Sequence, residues 1–278
     1  MHYSSLTASN VRVHALASGS SGNAVLVQAG KTHLLIDAGL PLRTLSPLLA
    51  RRGVHANGLD AILLTHEHSD HSCGAGPMAR RMGAPVVANA ATLDAYASRD
   101  DLPFLATELE TGGEIGVGEI GVRSFPISHD AVDPVGFVLH AGDVQIAYFT
   151  DCGCLAPEME AALQGAHLAI VEANHDVDWL WRGPYTPDMK ARVASPTGHL
   201  SNDDCADLIA RRLEEGGSLC VWLAHLSRVN NSPSLARRSV LARIQEQTRV
   251  PLALEVALRD HPSVSWQAGA RAVQLPLL

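Results

Sequence analysis

The stretch Thr65-His66-Glu67-His68-Ser69-Asp70-His71 closes an apolar run, Leu59–Thr65, that reads as a buried strand. Three His and one Asp in six residues at a strand end converge only if the backbone makes a tight loop there. Such a loop aims His66 and His68 at one cation and Asp70 and His71 at a second. Imidazole combined with carboxylate suits zinc or manganese, and also iron. A polar surface loop is the ordinary alternative, but histidine is scarce and this spacing is dense.

Three further residues repeat the placement. His129 follows the run Val122–Ser128, Asp151 follows Val144–Thr150, and His225 follows Leu219–Ala224. Singly, each reads as a strand-end residue bonded to a loop. Together with the first cluster they favour one shared metal site, since open sheets present functional groups at strand ends.

The surrounding pattern supplies a scaffold. Short apolar runs at Val11–Ser18, Ala24–Gln28 and Thr32–Asp37 are cut by Gly-rich turns and read as strands. Further strands are expected at Pro85–Ala88, in a hairpin over Glu114–Ser128, at Val135–His140, Val144–Thr150, His167–Glu172 and Leu219–Leu226, and in the tail at Leu252–Val256, Val264–Gln267 and Ala272–Leu275. Helices are expected at Leu42–Arg52, Met78–Met82, Ala91–Ser98, Pro157–Leu163, Asn202–Glu215 and Ser232–Gln247, the last with a Ser cap and Pro in its first turn. Strands come in consecutive groups, each followed by helices. That order implies an α/β chain with a sheet-on-sheet core and helices outside, rather than an alternating doubly wound sheet.

Composition narrows the classes. The 278 residues are 46% hydrophobic and 18% charged, enough for a large core and too little charge for long solvating tracts. A net charge of −8 excludes a generally basic nucleic-acid coat protein, though not a local basic groove. No run approaches a membrane span, and no basic-then-apolar leader opens the sequence, so a soluble cytoplasmic protein is expected. Five cysteines without secretory context read as reduced thiols, Cys152 and Cys154 among them. No linker marks a boundary, so residues 1–278 are expected to form one domain.

The Thr-His-x-His-x-Asp-His stretch, with Asp37 in Leu35-Ile36-Asp37-Ala38-Gly39 upstream and His129, Asp151 and His225 downstream in that order, resembles the metallo-β-lactamase fold hydrolases. The likeness is strongest over residues 11–242. Ala17-Ser18-Gly19-Ser20-Ser21-Gly22-Asn23, Pro126-Ile127-Ser128-His129-Asp130, Glu172-Ala173-Asn174-His175-Asp176, Gly198-His199-Leu200-Ser201 and Ala224-His225-Leu226-Ser227 resemble the YycJ/WalJ-like branch, which is associated with exonuclease activity on DNA 5′ ends. The resemblance implies an αββα sandwich, two mixed β-sheets flanked by helices, with the active site at one edge. It implies a first metal on His66, His68 and His129, a second on Asp70, His71 and His225, a bridging Asp151, and Asp37 orienting the ligands from behind. The slot before His225 lacks the Cys that β-lactam-hydrolysing members often use, and the chain is too short for the large inserted domain of some nuclease branches.

Two divalent ions about 3.5–4 Å apart lower the pKa of water from about 15.7 towards about 7 and neutralise both attacking and leaving oxygens, which suits a phosphodiester. Asp70 would bind metal and fix the direction of the attacking oxygen. The leaving alkoxide needs a proton, for which His199 and His175 are candidates. Gly198-His199-Leu200-Ser201 resembles the Gly-His-Ser-Thr element of the tRNA 3′-processing nucleases of this fold, and Glu172 resembles the acidic residue that orients it there. Ser20, Ser21 and Asn23 of the Gly-rich loop could hold phosphate, although such a loop is also an ordinary turn. Trp179, Trp181 and Arg182 could stack on bases and grip a backbone, or cap a loop. Arg228 and Asn230, just past His225, would reach substrate phosphate. DNA is therefore the favoured substrate. The alternatives are a thioester, lactone or cyclic-phosphate hydrolase with the same core, and a metal-binding protein without turnover.

Overall fold

Leu34 and Ile36 face one way and Leu35 the other, and all three are buried. A strand that is apolar on both faces needs cover on both sides, and that requirement sets the layers. The computed structural model describes residues 10–99, 105–214, 216 and 219–269. The first half runs β1 (Val11–Ala17), β2 (Ala24–Ala29), β3 (Thr32–Ile36), α1 (Leu42–Ala50), β4 (Ala61–Leu63), α2 (Ser69–Ser72), α3 (Ala75–Met82), β5 (Val86–Ala88), α4 (Ala90–Ala97) and β6 (Ala106–Glu108). It continues through β7 (Glu114–Val117), β8 (Ile120–Pro126), β9 (Val135–Ala141), β10 (Val144–Phe149), α5 (Pro157–Leu163), β11 (Leu168–Glu172), α6 (Val177–Arg182) and α7 (Pro187–Val193). The last elements are α8 (Asn202–Glu214), β12 (Cys220–Ala224), α9 (Pro233–Gln247), β13 (Ala253–Val256) and β14 (Ser265–Gln267).

Among the described residues the strands form two seven-stranded sheets, ordered β14-β1-β2-β3-β4-β5-β6 and β13-β12-β11-β10-β9-β8-β7. Both are mixed. β1 to β3 pair antiparallel and β3 to β6 parallel; β7 to β10 pair antiparallel and β10 to β13 parallel. Val13, Val27, Ile36, Phe137, Tyr148 and Trp222 fill the space between the sheets. Leu45, Leu49 and Met78 cover the outer face of the first sheet, and Leu208, Ile209 and Val240 that of the second. The expected αββα sandwich is thus present.

Local expectations fail where the signal is weak. Helices α6 and α7 fall in a stretch where the sequence predicts no element, and α7 buries no side chain, so no apolar stripe announces it. The tight loop expected over the His motif is one turn of helix, α2, in which the Ser72 hydroxyl donates to the carbonyls of Glu67 and His68. The short edge strand β6 was not expected, and the strand expected at Ala272–Leu275 lies outside the described residues. All five cysteines are free thiols. Among the described residues no helix is long and apolar enough to cross a membrane.

His14 ties β1 to β14 through Ser265 Oγ at 2.8 Å. Burial first, and then the Arg52 charge, push its pKa down to about 4. Between that value and the ordinary 6.5 only the unfolded chain takes up the proton, so this contribution is complete above pH 6.5 and is lost as pH falls towards 4. In urea melts at pH 7 and pH 4.5, His14→Gln is expected to lose less stability on acidification than the wild type, by on the order of 2 kcal/mol; equal losses would contradict this.

Candidate metal centre

Six strand ends or strand-following segments converge at one edge of the sandwich. Asp37 follows β3, Thr65 and His66 follow β4, His129 follows β8, Asp151 follows β10, Glu172 ends β11, and His225 follows β12. Three of these residues, Asp37, Asp151 and His225, have φ of 59°, 58° and 53°. Non-glycine residues rarely adopt this left-handed conformation, which costs about 1 kcal/mol or more and persists only where the surroundings enforce it.

Four histidines show the same orientation logic, each anchoring Nδ1 to a fixed acceptor. His71 Nδ1 donates to Asp37 Oδ2 at 2.8 Å, and His225 Nδ1 to Glu172 Oε1 at 2.9 Å. His129 Nδ1 donates to the Gly198 carbonyl at 3.1 Å, and His66 Nδ1 to Thr65 Oγ1 at 3.0 Å. That leaves the lone pair of each ring on Nε2, and on His71 it receives the Asn23 amide at 2.9 Å. The rings stand close: centroids are 4.2 Å apart for His66 and His71, 5.2 Å for His68 and His129, and 5.8 Å for His71 and His225.

Donor atoms of His66, His68 and His129 lie within 4.8 Å of one another, as do those of Asp70, His71 and His225, and those of His66, His71 and Asp151. Asp151 adjoins His71 and His129 of the first two sets, and its donor atoms also group with those of Glu172, His199 and His225. Its oxygens are 2.8 Å from His71 Nε2, 3.8 Å from His129 Nε2 and 3.3 Å from His225 Nδ1. His66 Nε2, His225 Nε2 and Asp151 Oδ2 are buried with no aligned hydrogen-bond partner. Unpaired buried donors and acceptors are costly, and an N/O set of this kind fits divalent cations.

The electrostatics follow from the same crowding. Burial opposes the charge on Asp151, but His225 and His71 outweigh it and hold the carboxyl well below its usual range. Burial and the neighbouring His71 push His66 well down. For His71, burial is outweighed by Asp37 and Asp151, which raise it. Glu172 is fully buried; against that burial, His199 and His225 bring it down to about 2. Its Oε1 accepts from His199 Nδ1 at 2.8 Å as well as from His225, and Oε2 accepts the backbone N–H of Cys152 and Leu200. Glu172 in turn raises His199 despite burial.

The remaining expected residues divide. Asn23 reaches the site but as a buried brace: its side chain accepts from Gly19 N–H and donates to the Asp70 carbonyl and to His71 Nε2. It is therefore not an open phosphate contact. His175 is buried, joins no donor set, and is pushed down by burial. Asn230, expected to touch substrate, is fully buried because its backbone clamps Asp176 N–H and Ser227 Oγ. Ser20 and Ser21 are exposed, as are Trp179, Trp181 and Arg182, the last paired with Asp178. Arg228 pairs with Asp260. Sequence reasoning missed three things: the Tyr148 hydroxyl donating to Asp37, the bond from His225 to Glu172, and the Arg192–Asp130 pair beside His129. None carries a motif, since each depends on which strands become neighbours.

Gly39 shows how tightly the centre is built. A Cβ there would lie 1.6 Å from the Asp70 carbonyl oxygen and 2.7 Å from Asn23 N. Gly39→Ala is expected to lower stability by about 1–3 kcal/mol and metal content with it. Asp37→Asn, which keeps the shape and removes the charge behind His71, is expected to weaken metal affinity by about 10–100-fold with little change in melting temperature of the metal-free protein. Chelator competition reads both; unchanged affinity in Asp37→Asn would contradict the orienting role.

The beta-lactamase superfamily domain matches residues 32–215. The exodeoxyribonuclease YycJ of Bacillus anthracis is 36% identical over 234 residues, 84% of this chain and 88% of its own. The exodeoxyribonuclease WalJ of Streptococcus pneumoniae is 37% identical over 235 residues, 83% of this chain and 87% of its own. The metallo-beta-lactamase fold protein YhfI from Bacillus subtilis superposes with a TM-score of 0.69 at 17% identity, over 93% of this chain and 99% of its own, a likeness of fold. The chain belongs to the beta-lactamase superfamily, with the metallo-β-lactamase fold, in the branch of the YycJ and WalJ proteins.

Proposed function

We propose that this chain is a dinuclear metal-dependent phosphodiesterase that shortens DNA from an end, with zinc or manganese as its ions and iron as a further candidate. One observation carries the reading: two His-rich donor sets, His66, His68 and His129 on one side and Asp70, His71 and His225 on the other, meet at a single buried carboxylate, Asp151. The names of the two relatives support the substrate. Divalent ions at such a centre supply Lewis acidity, activating water and neutralising charge on the attacking and leaving oxygens.

The chain's own groups do the rest. Asp70 is part-exposed, with Oδ2 3.7 Å from His71 Nε2 and 3.6 Å from His225 Nε2, so it can orient the attacking water by accepting a hydrogen bond from it. His199 is the group that protonates the leaving oxygen. Glu172 fixes its Nδ1, leaving Nε2 as the atom that delivers the proton. Because Glu172 also holds His225, one buried carboxylate sets the acid and a metal ligand in register. His175, neutral and enclosed, supports this wall rather than the proton transfer. Between β11 and His199, Trp179 and Trp181 on α6 are 47% and 54% exposed. They offer flat surfaces to unpaired bases, with Arg182 beside them for the backbone.

With added Mn²⁺ or Zn²⁺ the purified protein is expected to shorten end-labelled DNA, and Asp70→Ala to abolish this. His199→Ala should lower kcat by about 10²–10⁴-fold while metal content stays at the wild-type value. Trp179→Ala should raise KM for single-stranded ends more than for duplex ends. Intact DNA under every metal, or faster turnover of chromogenic esters than of bis-p-nitrophenyl phosphate, would contradict the proposal.

A further inference from the structure

The loop between β13 and β14 supplies none of the donor atoms, yet it lies against the centre. The Leu258 carbonyl accepts the Ser18 N–H at 3.0 Å, and Ser18 Oγ accepts the His225 N–H at 2.9 Å. Arg259 lies along Gly19, where φ is 149° and a Cβ would meet Arg259 Cγ at 2.4 Å. Only glycine leaves that groove open for the arginine stem. The guanidinium donates Nη1 to the carbonyl of Leu226, the residue after His225, at 3.0 Å. Its Nε is buried and has no partner.

The charges around it are unbalanced. Arg228 Nη2 meets Asp260 Oδ2 at 3.1 Å, and Asp260 Oδ1 accepts from Ser21 Oγ at 2.9 Å. Asp260 makes its ion pair with Arg228, and its charge acts on Arg259 as well, without a direct ion pair there. Burial first, and then the Arg228 charge, hold Arg259 below the ordinary arginine range. An anion beside the two guanidiniums would offset the effect of the Arg228 charge on Arg259. Exposed Ser20 and Ser21 stand on the facing loop.

We propose that Arg259 and Arg228, with Ser20 and Ser21, form a cradle for a substrate phosphate next to the scissile one, and that the Asp260 carboxylate occupies it in the free protein. The proposal rests on the phosphodiesterase reading and gives the C-terminal loop a role outside the superfamily match. Arg259→Met keeps the stem on Gly19 and removes the charge; Arg259→Lys keeps both stem and charge.

Binding tests it without turnover. The probe is a fluorescein-labelled, phosphorothioate-linked single-stranded oligodeoxynucleotide, titrated by anisotropy into the metal-loaded full chain. Arg259→Met is expected to raise Kd at least tenfold and to lower the slope of log Kd against log salt by about 0.7. Arg259→Lys should recover most of the slope, and Asp260→Asn should lower Kd, a direction that a merely structural role would not produce. Unchanged Kd and slope in Arg259→Met, or weaker binding in Asp260→Asn, would overturn the cradle. If the wild type binds no oligonucleotide, an Arg259-dependent rise in melting temperature with inorganic phosphate would keep it as a site for free phosphate, and no such rise would overturn it. Arg259-dependent binding in a protein that leaves DNA intact would support the cradle while refuting the nuclease reading.

Discussion

A single buried carboxylate organises this protein. Asp151 lies 2.8–3.8 Å from nitrogens of His71, His129, His199 and His225, which come from four separate segments of the chain. Such a cluster of ionisable groups at the edge of a sandwich is costly to desolvate unless opposite charges are arranged around it. The sheets deliver His129, Asp151 and His225 just past the carboxyl ends of β8, β10 and β12, where open sheets gather ligands, while His71 lies on α2 and His199 precedes α8. Asp37, Asp151 and His225 take the left-handed backbone conformation and are buried. The conformational cost is met by burial and hydrogen bonding on every side.

Behind this cluster stand two further carboxylates with parallel tasks. Asp37 accepts from Thr65, His71 and Tyr148, so it ties β3, the loop after β4 and β10 to one point. Glu172 accepts from His199 and His225 through one oxygen and from two backbone amides through the other. Each fixes the outer nitrogen of a histidine and hence which nitrogen faces the reaction. In Glu172 the two roles meet: the residue that orients a candidate ligand also orients the candidate acid, so a shift in one must be felt by the other.

Much of this was legible in the sequence, for a physical reason. Strand-end His and Asp residues interrupt long apolar runs, and the density of His66, His68, Asp70 and His71 has few ordinary explanations. The layered fold followed from strands grouped before helices, and its αββα form from the family resemblance. What stayed hidden depends on tertiary neighbours. Helix α7 buries nothing and has no periodic signal. Asn230 reads as a polar residue near the site, yet a backbone clamp encloses it. Arg259 is an unremarked arginine in a late loop until Gly19 and Leu226 are seen beside it. The bond between Tyr148 and Asp37 spans 111 positions and has no local trace.

The account comes down to whether the residues around Asp151 hold a pair of cations. Elemental analysis of the purified full chain, equilibrated with Mn²⁺ or Zn²⁺ and freed of loosely bound ions, measures this directly. Two ions per chain are expected, with Asp151→Ala retaining at most one while still folded. One ion or none in the wild type, or two retained without Asp151, would contradict it.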